Sequence, residues 1–390
     1  MIIYLRSLFL LSFISAAVCL CQGSVAAQSA TLQADPVTTA SKTAAKKSNT
    51  GAGKRGGVPT RFYVDPGWQA ERFPKHAVCY ESPDKIAAIY AQTLKQKQNP
   101  VTSYEKPLDG SLRIVGTGHS FMMPGYKTLP LIARAAGFQQ PPLLTHVGGG
   151  ITGSARYKWE EENGIFQFDG RPKPMLLSSI AGAQWDAMMW GPYYDDRTEY
   201  YSCWIDFCHQ HNQNINFYLS DAWPQLDQLK QIPRSEDELT SEVVAQMHQD
   251  KRATYQPLIE QLNRKYGNHV FVLPTSQAMV LAVDYYHRGQ LPGVEGIHKA
   301  IGGKERSLWR DRLGHLGNGM ESLEGYVFYA TLYGRSPELI AGKKPITTAK
   351  DYPSPELDRM FRKIAWQAVI TDPLSGVIDQ DKNGIADDRQ

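Results

Sequence analysis

The chain of 390 residues lacks the features that define several common classes of protein. Beyond its first thirty residues it has no apolar run long enough to span a bilayer, which excludes a polytopic membrane protein. Its five cysteines are too few for a disulfide-dense scaffold. Hydrophobic residues make up 42% of the chain and charged residues 21%, so a wholly disordered chain is excluded as well.

The chain also lacks a strong excess of charge of one sign. Its 42 Lys and Arg residues exceed its 39 Asp and Glu residues by only three. Residues 1–60 hold six basic groups and one acid, which leaves 36 basic and 38 acidic groups in the other 330 residues. The main part of the chain is therefore nearly neutral, and no nucleic-acid partner is expected.

The N-terminus has the pattern of an export signal. Arg6 gives a short positive region, residues 7–20 are mostly apolar, and the small residues Val25 to Ala27 offer a cleavage site. The alternative is an uncleaved anchor, for which the apolar run is short. We predict a signal peptide over 1–27 and a secreted or periplasmic protein with no membrane insertion after cleavage.

The rest of the sequence divides into five predicted segments. They are a disordered linker at 28–60, an N-terminal extension packed on the core at 61–104, the core domain at 105–340, a C-terminal helical extension at 341–378 and an acidic tail at 379–390.

Short apolar strands alternate with helices through the core domain. Strands are predicted at 112–115, 143–147, 185–190, 215–219 and 270–273, and helices at 129–136, 195–211, 236–266, 276–287 and 319–333. This alternation predicts an α/β fold with a parallel sheet covered on both faces. Because such sheets bind ligands beyond the carboxyl ends of their strands, the loops that follow the strands are the candidate site.

Two glycine-containing loops follow the first two strands. Ser120 lies in the first loop, Gly116 to Phe121, where its own N–H could face a developing oxyanion. A phosphate-binding loop and a helix cap are the alternatives, although the glycines complete neither a dinucleotide nor a P-loop pattern. The second loop, Gly148 to Gly150, could supply another oxyanion donor or form a flexible turn.

A segment with Asp311 and His315 follows the fifth strand. A histidine can accept the proton of a serine hydroxyl, and an aspartate can orient its imidazole. The chain has ten histidines, so one of them is also expected to lie near an aspartate in the sequence by chance. The order of the segments favours the catalytic interpretation, since the serine follows the first strand and the Asp and His follow the last.

Together these segments resemble the SGNH/GDSL hydrolase superfamily, in particular its exported bacterial branch with a G-[NH]-S-F first block. The resemblance covers about residues 110–340 and rests on Gly118 to Phe121, His146 to Gly150 with Trp159-Glu160, Trp185 to Met189, Asp311 to His315, and Gly325 to Pro337.

This resemblance implies a flavodoxin-like three-layer α/β/α sandwich with a five-stranded parallel sheet, and ester hydrolysis through an acyl-serine. It implies Ser120 as the nucleophile, His315 as the general base and Asp311 as its orienting partner. The Ser120 and Gly149 N–H groups would form the oxyanion hole. Family members often deacylate carbohydrates, so an acetylated glycan or another small ester is the implied substrate, with no cofactor required for catalysis.

Two positions depart from the family pattern. Gly191 stands at the third oxyanion-hole position, where the family carries an Asn or Gln, and loss of such a donor costs about 10²–10³ in rate in other enzymes. The spacing from Asp311 to His315 is one residue longer than the usual Asp-x-x-His. In a helical turn both side chains would still share a face, whereas in an extended segment they would not. A catalytically silent glycan-binding protein is therefore the alternative function.

Four further residues are predicted to contact substrate. His119 and Tyr193 lie beside Ser120 and Gly191 in the sequence, and Asp221 and Trp223 follow the fourth strand. Aromatic rings suit stacking on sugars, although core packing explains Trp223 equally well.

Signal cleavage leaves Cys79, Cys203 and Cys208. On a helix, Cys203 and Cys208 point about 140° apart, so neither a bond between them nor a zinc site is favoured. Buried thiols, or a bond from Cys79 to one of them, are expected instead.

The C-terminal tail has the spacing of a calcium loop. Asp379, Asp381, Asn383 and Asp387 place oxygen ligands at positions 1, 3, 5 and 9, with Gly384 at position 6. Position 12 is Gln390, which lacks the usual bidentate carboxylate. A weak Ca²⁺ site and a merely acidic tail both remain open.

Overall fold

The computed structural model describes residues 63–64, 78–79, 106–147, 156–157, 166–168, 171–173, 176–192, 198–342, 344–350 and 352–389, all within one compact unit, Arg55–Gln390. The predicted signal peptide, the predicted linker and nearly all of the predicted N-terminal extension lie outside these residues. No helix in the described ranges is long and apolar enough to cross a membrane.

Five parallel strands form the central sheet. They are β1 (Ile114–Gly118), β2 (Leu144–Val147), β3 (Ala187–Trp190), β4 (Asn216–Ser220) and β5 (Val270–Leu273). Their order in the sheet is β2-β1-β3-β4-β5, with β1 at the point where the chain reverses its direction of growth. Every neighbouring pair runs parallel. The predicted α/β fold of flavodoxin-like type, with a five-stranded parallel sheet, is confirmed.

Among the described residues, seven helices of seven residues or more are arranged around this sheet. They are α1 (Met123–Ala135), α2 (Leu176–Gly182), α3 (Thr198–His211), α4 (Ser241–Tyr266), α5 (Thr275–His287), α6 (Glu321–Tyr333) and α7 (Pro355–Thr371).

The helices cover both faces of the sheet, and the strands alternate between the two resulting cores. On β1, Ile114 contributes to the core that contains α1, α5, α6 and α7, whereas Val115 contributes to the core that contains α2, α3 and α4. On β4, Tyr218 and Phe217 divide in the same way. Successive side chains of a strand point to opposite faces, so a strand buried on both sides is apolar throughout.

Helix α1 begins six residues before the predicted start at residue 129. A short 3₁₀ turn over Ser120–Met122 leads directly into it, and Pro124 occupies its first turn, where a missing N–H costs nothing. The early start places the N-terminus of α1 at the carboxyl end of β1. This part of the sheet edge carries the candidate nucleophile.

Close packing between α1 and α6 fixes the position of that turn. A side chain at Gly125 would collide with the Phe328 ring, and one at Gly325 would collide with Thr128. Glu324 of α6 also accepts a hydrogen bond from the Gly125 N–H at 3.0 Å. The two glycines therefore allow the helices to approach closely, and α6 supports the helix that follows Ser120.

A pair of short parallel strands, Gly296–His298 and Ser307–Trp309, leads into the Asp311 segment. In the C-terminal extension, α7 packs against α6. Cys203 and Cys208 of α3 are both buried. The side chain of Cys79 lies outside the described residues.

Candidate active site

Ser120 lies just beyond the carboxyl end of β1, at the first residue of the 3₁₀ turn. Its side chain is exposed, and its Oγ lies 2.7 Å from Nε2 of His315. The first N–H groups of a helix have no acceptor within the helix, so the Ser120 N–H is not used inside its own turn. Ser120 thus combines a hydroxyl in contact with a base and an N–H at a positive helix end.

Asp311 holds the opposite nitrogen of the same imidazole. Nδ1 of His315 lies 2.9 Å and 3.0 Å from the two carboxylate oxygens of Asp311. The structure therefore brings Ser120, His315 and Asp311 into one hydrogen-bonded chain. Geometrically this is the serine–histidine–aspartate arrangement of acyl-transfer enzymes.

The unusual spacing between Asp311 and His315 is accommodated by a tight turn, which is neither helical nor extended. The Gly314 N–H donates to the Asp311 carbonyl at 2.9 Å, and the Arg310 N–H donates to the His315 carbonyl at 2.9 Å. Gly314 has a φ of +89°, a conformation that favours glycine. The additional residue therefore forms part of a closed loop that turns the imidazole back over the carboxylate.

The same loop donates hydrogen bonds to the Asp311 carboxylate. The N–H groups of Leu313 and His315 donate to Oδ1 at 3.1 Å and 3.2 Å. Partial burial alone would raise the pKa of Asp311, but these donors, the His315 ring and Arg310 hold it below its usual value. The carboxylate is therefore ionised at neutral pH, so Nδ1 of His315 carries the proton and Nε2 is available to accept one from Ser120.

The side chain of Phe121 packs against the imidazole of His315. Its ring meets the His315 ring edge to face, with centroids 4.8 Å apart, and it packs against Trp223 at 5.0 Å. The sequence motif included Phe121 without assigning it a role. No periodicity marks such a residue, because its function depends on a ring more than 190 positions later in the chain.

Gly191, predicted at the third oxyanion-hole position, offers no donor to an oxyanion. It has no side chain, and its N–H already donates to the Thr117 carbonyl at 3.1 Å. A Cβ at this position would lie 2.8 Å from Cγ of Met122 and 3.2 Å from the Cα of Gly118. The space that an asparagine would need is therefore occupied by the nucleophile turn.

His119 is placed next to the site, but not as a substrate ligand through its nitrogens. Nε2 lies 2.6 Å from the Pro192 carbonyl, and Nδ1 accepts from the Phe121 N–H at 3.3 Å. Burial lowers the pKa of His119 to about 3, so the ring is neutral. Both nitrogens contact the backbone, and the predicted contact of His119 with substrate stays a prediction.

Asp221 and Trp223 are buried in the core, contrary to the expectation that they face the cleft. Asp221 is fully buried and accepts hydrogen bonds from Thr275 Oγ1 at 2.9 Å, Ser276 N–H at 2.7 Å and Tyr255 OH at 3.2 Å. Trp223 is equally inaccessible and packs on Phe121. For Trp223, the core-packing alternative is the one that the structure supports.

Two predicted site residues, Gly149 and Tyr193, lie outside the described residues. Their roles as oxyanion donor and substrate contact stay predictions.

In the C-terminal tail, Asp379, Asp381 and Asp387 bring one carboxylate oxygen each within 4.8 Å of one another. Among the described residues this is the one such group that could hold a metal ion. Its oxygens also accept backbone hydrogen bonds inside the loop, including those from Asn383 and Gly384. The calcium site stays a prediction. Its residues are distant from Ser120 in the sequence.

Comparison with known proteins gives similarity at the level of structure alone. No family model matches the sequence, and no curated protein matches it. Among solved structures, a DUF4886 family protein from Bacteroides uniformis aligns over 67% of this chain and 95% of its own length, with 9% identity and a TM-score of 0.44. The C-terminal catalytic domain of a peptidoglycan O-acetyltransferase from Streptococcus pneumoniae aligns over 57% and 91%, with 10% identity and a TM-score of 0.28.

Proposed function

We propose that this protein is an exported serine esterase of the SGNH type, which deacylates a carbohydrate through an acyl-serine intermediate. The observation that carries the proposal is the chain of contacts at the sheet edge. Ser120 Oγ lies 2.7 Å from one nitrogen of His315, and Asp311 lies 2.9 Å from the other. A serine hydroxyl becomes a nucleophile when a base is in contact with it and is itself oriented by a third group.

The acylation step follows from these positions. Ser120 Oγ attacks the ester carbonyl carbon while its proton moves to Nε2 of His315, and the carbonyl oxygen becomes an oxyanion. The tetrahedral intermediate then breaks the bond to the alcohol oxygen, which takes the proton from Nε2 and leaves as an alcohol. Ionised Asp311 stabilises the imidazolium that exists between these two proton transfers.

Water completes the reaction by the same route in reverse. It gives a proton to Nε2 of His315 as its oxygen attacks the acyl carbon, and Ser120 Oγ leaves with that proton. The Ser120 N–H lies at the N-terminus of the turn that leads into α1, which supports its proposed role as an oxyanion donor in both steps. Gly149 is the proposed second donor.

A large substrate suits the exposed position of the nucleophile. Ser120 is exposed, and so are Arg312 and Leu313 in the catalytic loop, with Leu313 exposed over 67% of its surface. An exposed nucleophile can reach an ester on an oligosaccharide or polymer chain. Together with the predicted export signal and the resemblance to carbohydrate deacylases, this favours an acetylated glycan as the substrate class.

A second candidate is a glycan-binding protein without catalytic activity. Gly191 favours it, because the third oxyanion position has neither a side chain nor a free N–H. The two candidates differ in one measurable property, namely whether Ser120 forms a covalent bond with an acyl donor.

The test is acetate release from an aryl acetate and from acetylated oligosaccharides, measured for the wild type and for Ser120→Ala. We expect kcat to be at least ~10³-fold lower in the variant, because removal of the nucleophile has an effect of this size in other triad enzymes. Thr371→Ala, which removes an exposed hydroxyl from the last turn of α7, is the control and should retain full activity.

Equal rates for the wild type and Ser120→Ala would contradict the proposal. Activity on the aryl acetate alone would retain the serine esterase and reject the carbohydrate substrate.

A further inference from the structure

His119 contacts two segments of backbone that the sheet topology brings side by side. Nε2 lies 2.6 Å from the Pro192 carbonyl, in the segment that follows β3, and Nδ1 lies 3.3 Å from the Phe121 nitrogen, in the turn that follows β1. We propose that His119 is a positioning residue, which fixes Ser120 by connecting the nucleophile turn to the end of β3. This inference rests on the proposed esterase function.

The two contacts assign one tautomer to the ring. A backbone carbonyl can only accept a hydrogen bond, so Nε2 carries the proton and donates it to Pro192. A backbone N–H can only donate, so Nδ1 is unprotonated and accepts from Phe121. A protonated ring would place two N–H groups against each other at Phe121. His119 is therefore held neutral and takes no part in proton transfer or oxyanion binding.

His119 also fills the space where the family carries a side chain. A Cβ on Gly191 would lie 3.2 Å from Cδ2 of His119. The imidazole thus packs over Gly191, and its hydrogen bond reaches the next residue, Pro192. Among the described residues, the side chain that joins the two strand ends is His119, which belongs to the nucleophile turn.

Phe121 connects His119 to the catalytic base. Its N–H is bound by His119, and its ring meets the His119 ring at 5.1 Å and the His315 ring at 4.8 Å, edge to face in both cases. Movement of the Phe121 backbone would therefore shift the adjacent Ser120, and it would also shift the Phe121 ring that packs against His315. Misplacement of about 1 Å near reacting groups can cost 10² in rate.

Two conservative variants separate the two contacts. Asparagine places an acceptor near the position of Nδ1, so His119→Asn can retain the cap on the Phe121 N–H but cannot reach Pro192. Glutamine places a donor near the position of Nε2, so His119→Gln can retain the bond to Pro192. His119→Ala loses both contacts.

We expect His119→Ala to lower kcat about 10- to 100-fold on an aryl acetate, with KM changed less than about threefold. His119→Asn and His119→Gln should each recover part of this loss. His211→Ala, which removes an exposed histidine at the end of α3, is the matched control and should keep wild-type kcat. Thermal denaturation of each variant separates loss of folding from loss of positioning.

Nitrogen-15 NMR of the full chain gives a readout that does not depend on activity. The His119 ring should show the neutral tautomer protonated at Nε2 from pH 5 to pH 9. A different tautomer, a kcat for His119→Ala within twofold of the wild type, or folded Asn and Gln variants no better than Ala would overturn the inference. If the wild type itself is inactive, the proposed function fails, and the NMR result still tests the connection between the two loops.

Discussion

Asp311 and Asp221 each follow the carboxyl end of a strand, yet their environments are opposite. The Asp311 side chain is 40% exposed and lies in a loop of its own N–H donors beside His315. Asp221 is fully buried between α4 and α5, with hydroxyl and N–H donors around it. Position at the end of a strand therefore does not decide what a carboxylate does.

The two carboxyl groups differ in charge as a result. Loop N–H groups, the His315 ring and Arg310 outweigh partial burial and lower the pKa of Asp311. Burial raises the pKa of Asp221 to about 7, against the opposing hydrogen bonds from Ser276 and Thr275. Removal from water destabilises a charged carboxylate, whereas donors aimed at it stabilise the charge. Asp311 is suited to stabilise an imidazolium, and Asp221 is suited to hold α4 and α5 together.

The largest expected effect comes from Asp311→Asn. An amide at this position cannot stabilise the imidazolium and favours the wrong His315 tautomer, so kcat on an aryl acetate should fall about 10³- to 10⁴-fold. Asp221→Asn is the matched control, with an expected change in kcat of less than about threefold. Similar losses of kcat in the two folded variants would remove the distinction drawn between the two carboxylates.

The second prediction concerns stability against pH. Because folding raises the pKa of Asp221 to about 7, the folded state holds a proton that the unfolded state has lost between about pH 4 and pH 7. The free energy of unfolding should therefore fall as the pH rises through this range, by at most about 4 kcal/mol from this group.

Asp221→Asn removes this dependence. Its free energy of unfolding, from urea titration, should be close to that of the wild type at pH 4 and should exceed it at pH 8. Other groups titrate alike in both proteins, so the difference between them isolates Asp221. A difference that does not change with pH would show that Asp221 is ionised in the folded protein.

The smallest expected effect comes from Gly314→Ala in the Asp311 loop. Alanine at a φ of +89° costs about 1–2 kcal/mol, and its Cβ would lie 3.2 Å from Cγ of Gln225. We expect kcat to fall about tenfold, since the loop must shift and His315 with it. Gly342→Ala carries similar strain at a φ of +95° with no atom within 4 Å of its Cβ, so it should lose stability and keep kcat. Equal kcat values in the two variants would show that loop closure does not position His315.

The parts that sequence reasoning predicted correctly are those set by short-range pattern. The strands predicted at 143–147 and 270–273 are β2 and β5 nearly to the residue. β5 is apolar throughout, as a strand covered on both faces should be, whereas β2 includes Thr145 and His146. Ser120, Asp311 and His315 were singled out by their order at strand ends, and the fold brings those ends together.

The parts that it did not predict depend on contacts distant in the chain. Asp221 follows β4 as a ligand-binding residue would, but α4 and α5 cover it. His119 resembles a substrate ligand until Pro192 is placed 2.6 Å from its ring. The start of α1 was placed late, because the 3₁₀ turn at Ser120 carries no apolar periodicity.

The most direct test of the central claim is whether Ser120 is a working nucleophile. A fluorophosphonate probe transfers its phosphonyl group to an activated serine with loss of fluoride, and intact mass spectrometry followed by peptide mapping detects the product. We predict one adduct on the wild type, located at Ser120, none on Ser120→Ala, and slower labelling of Asp311→Asn. A folded wild type that stays unlabelled in excess probe, or an adduct that persists in Ser120→Ala, would contradict the account.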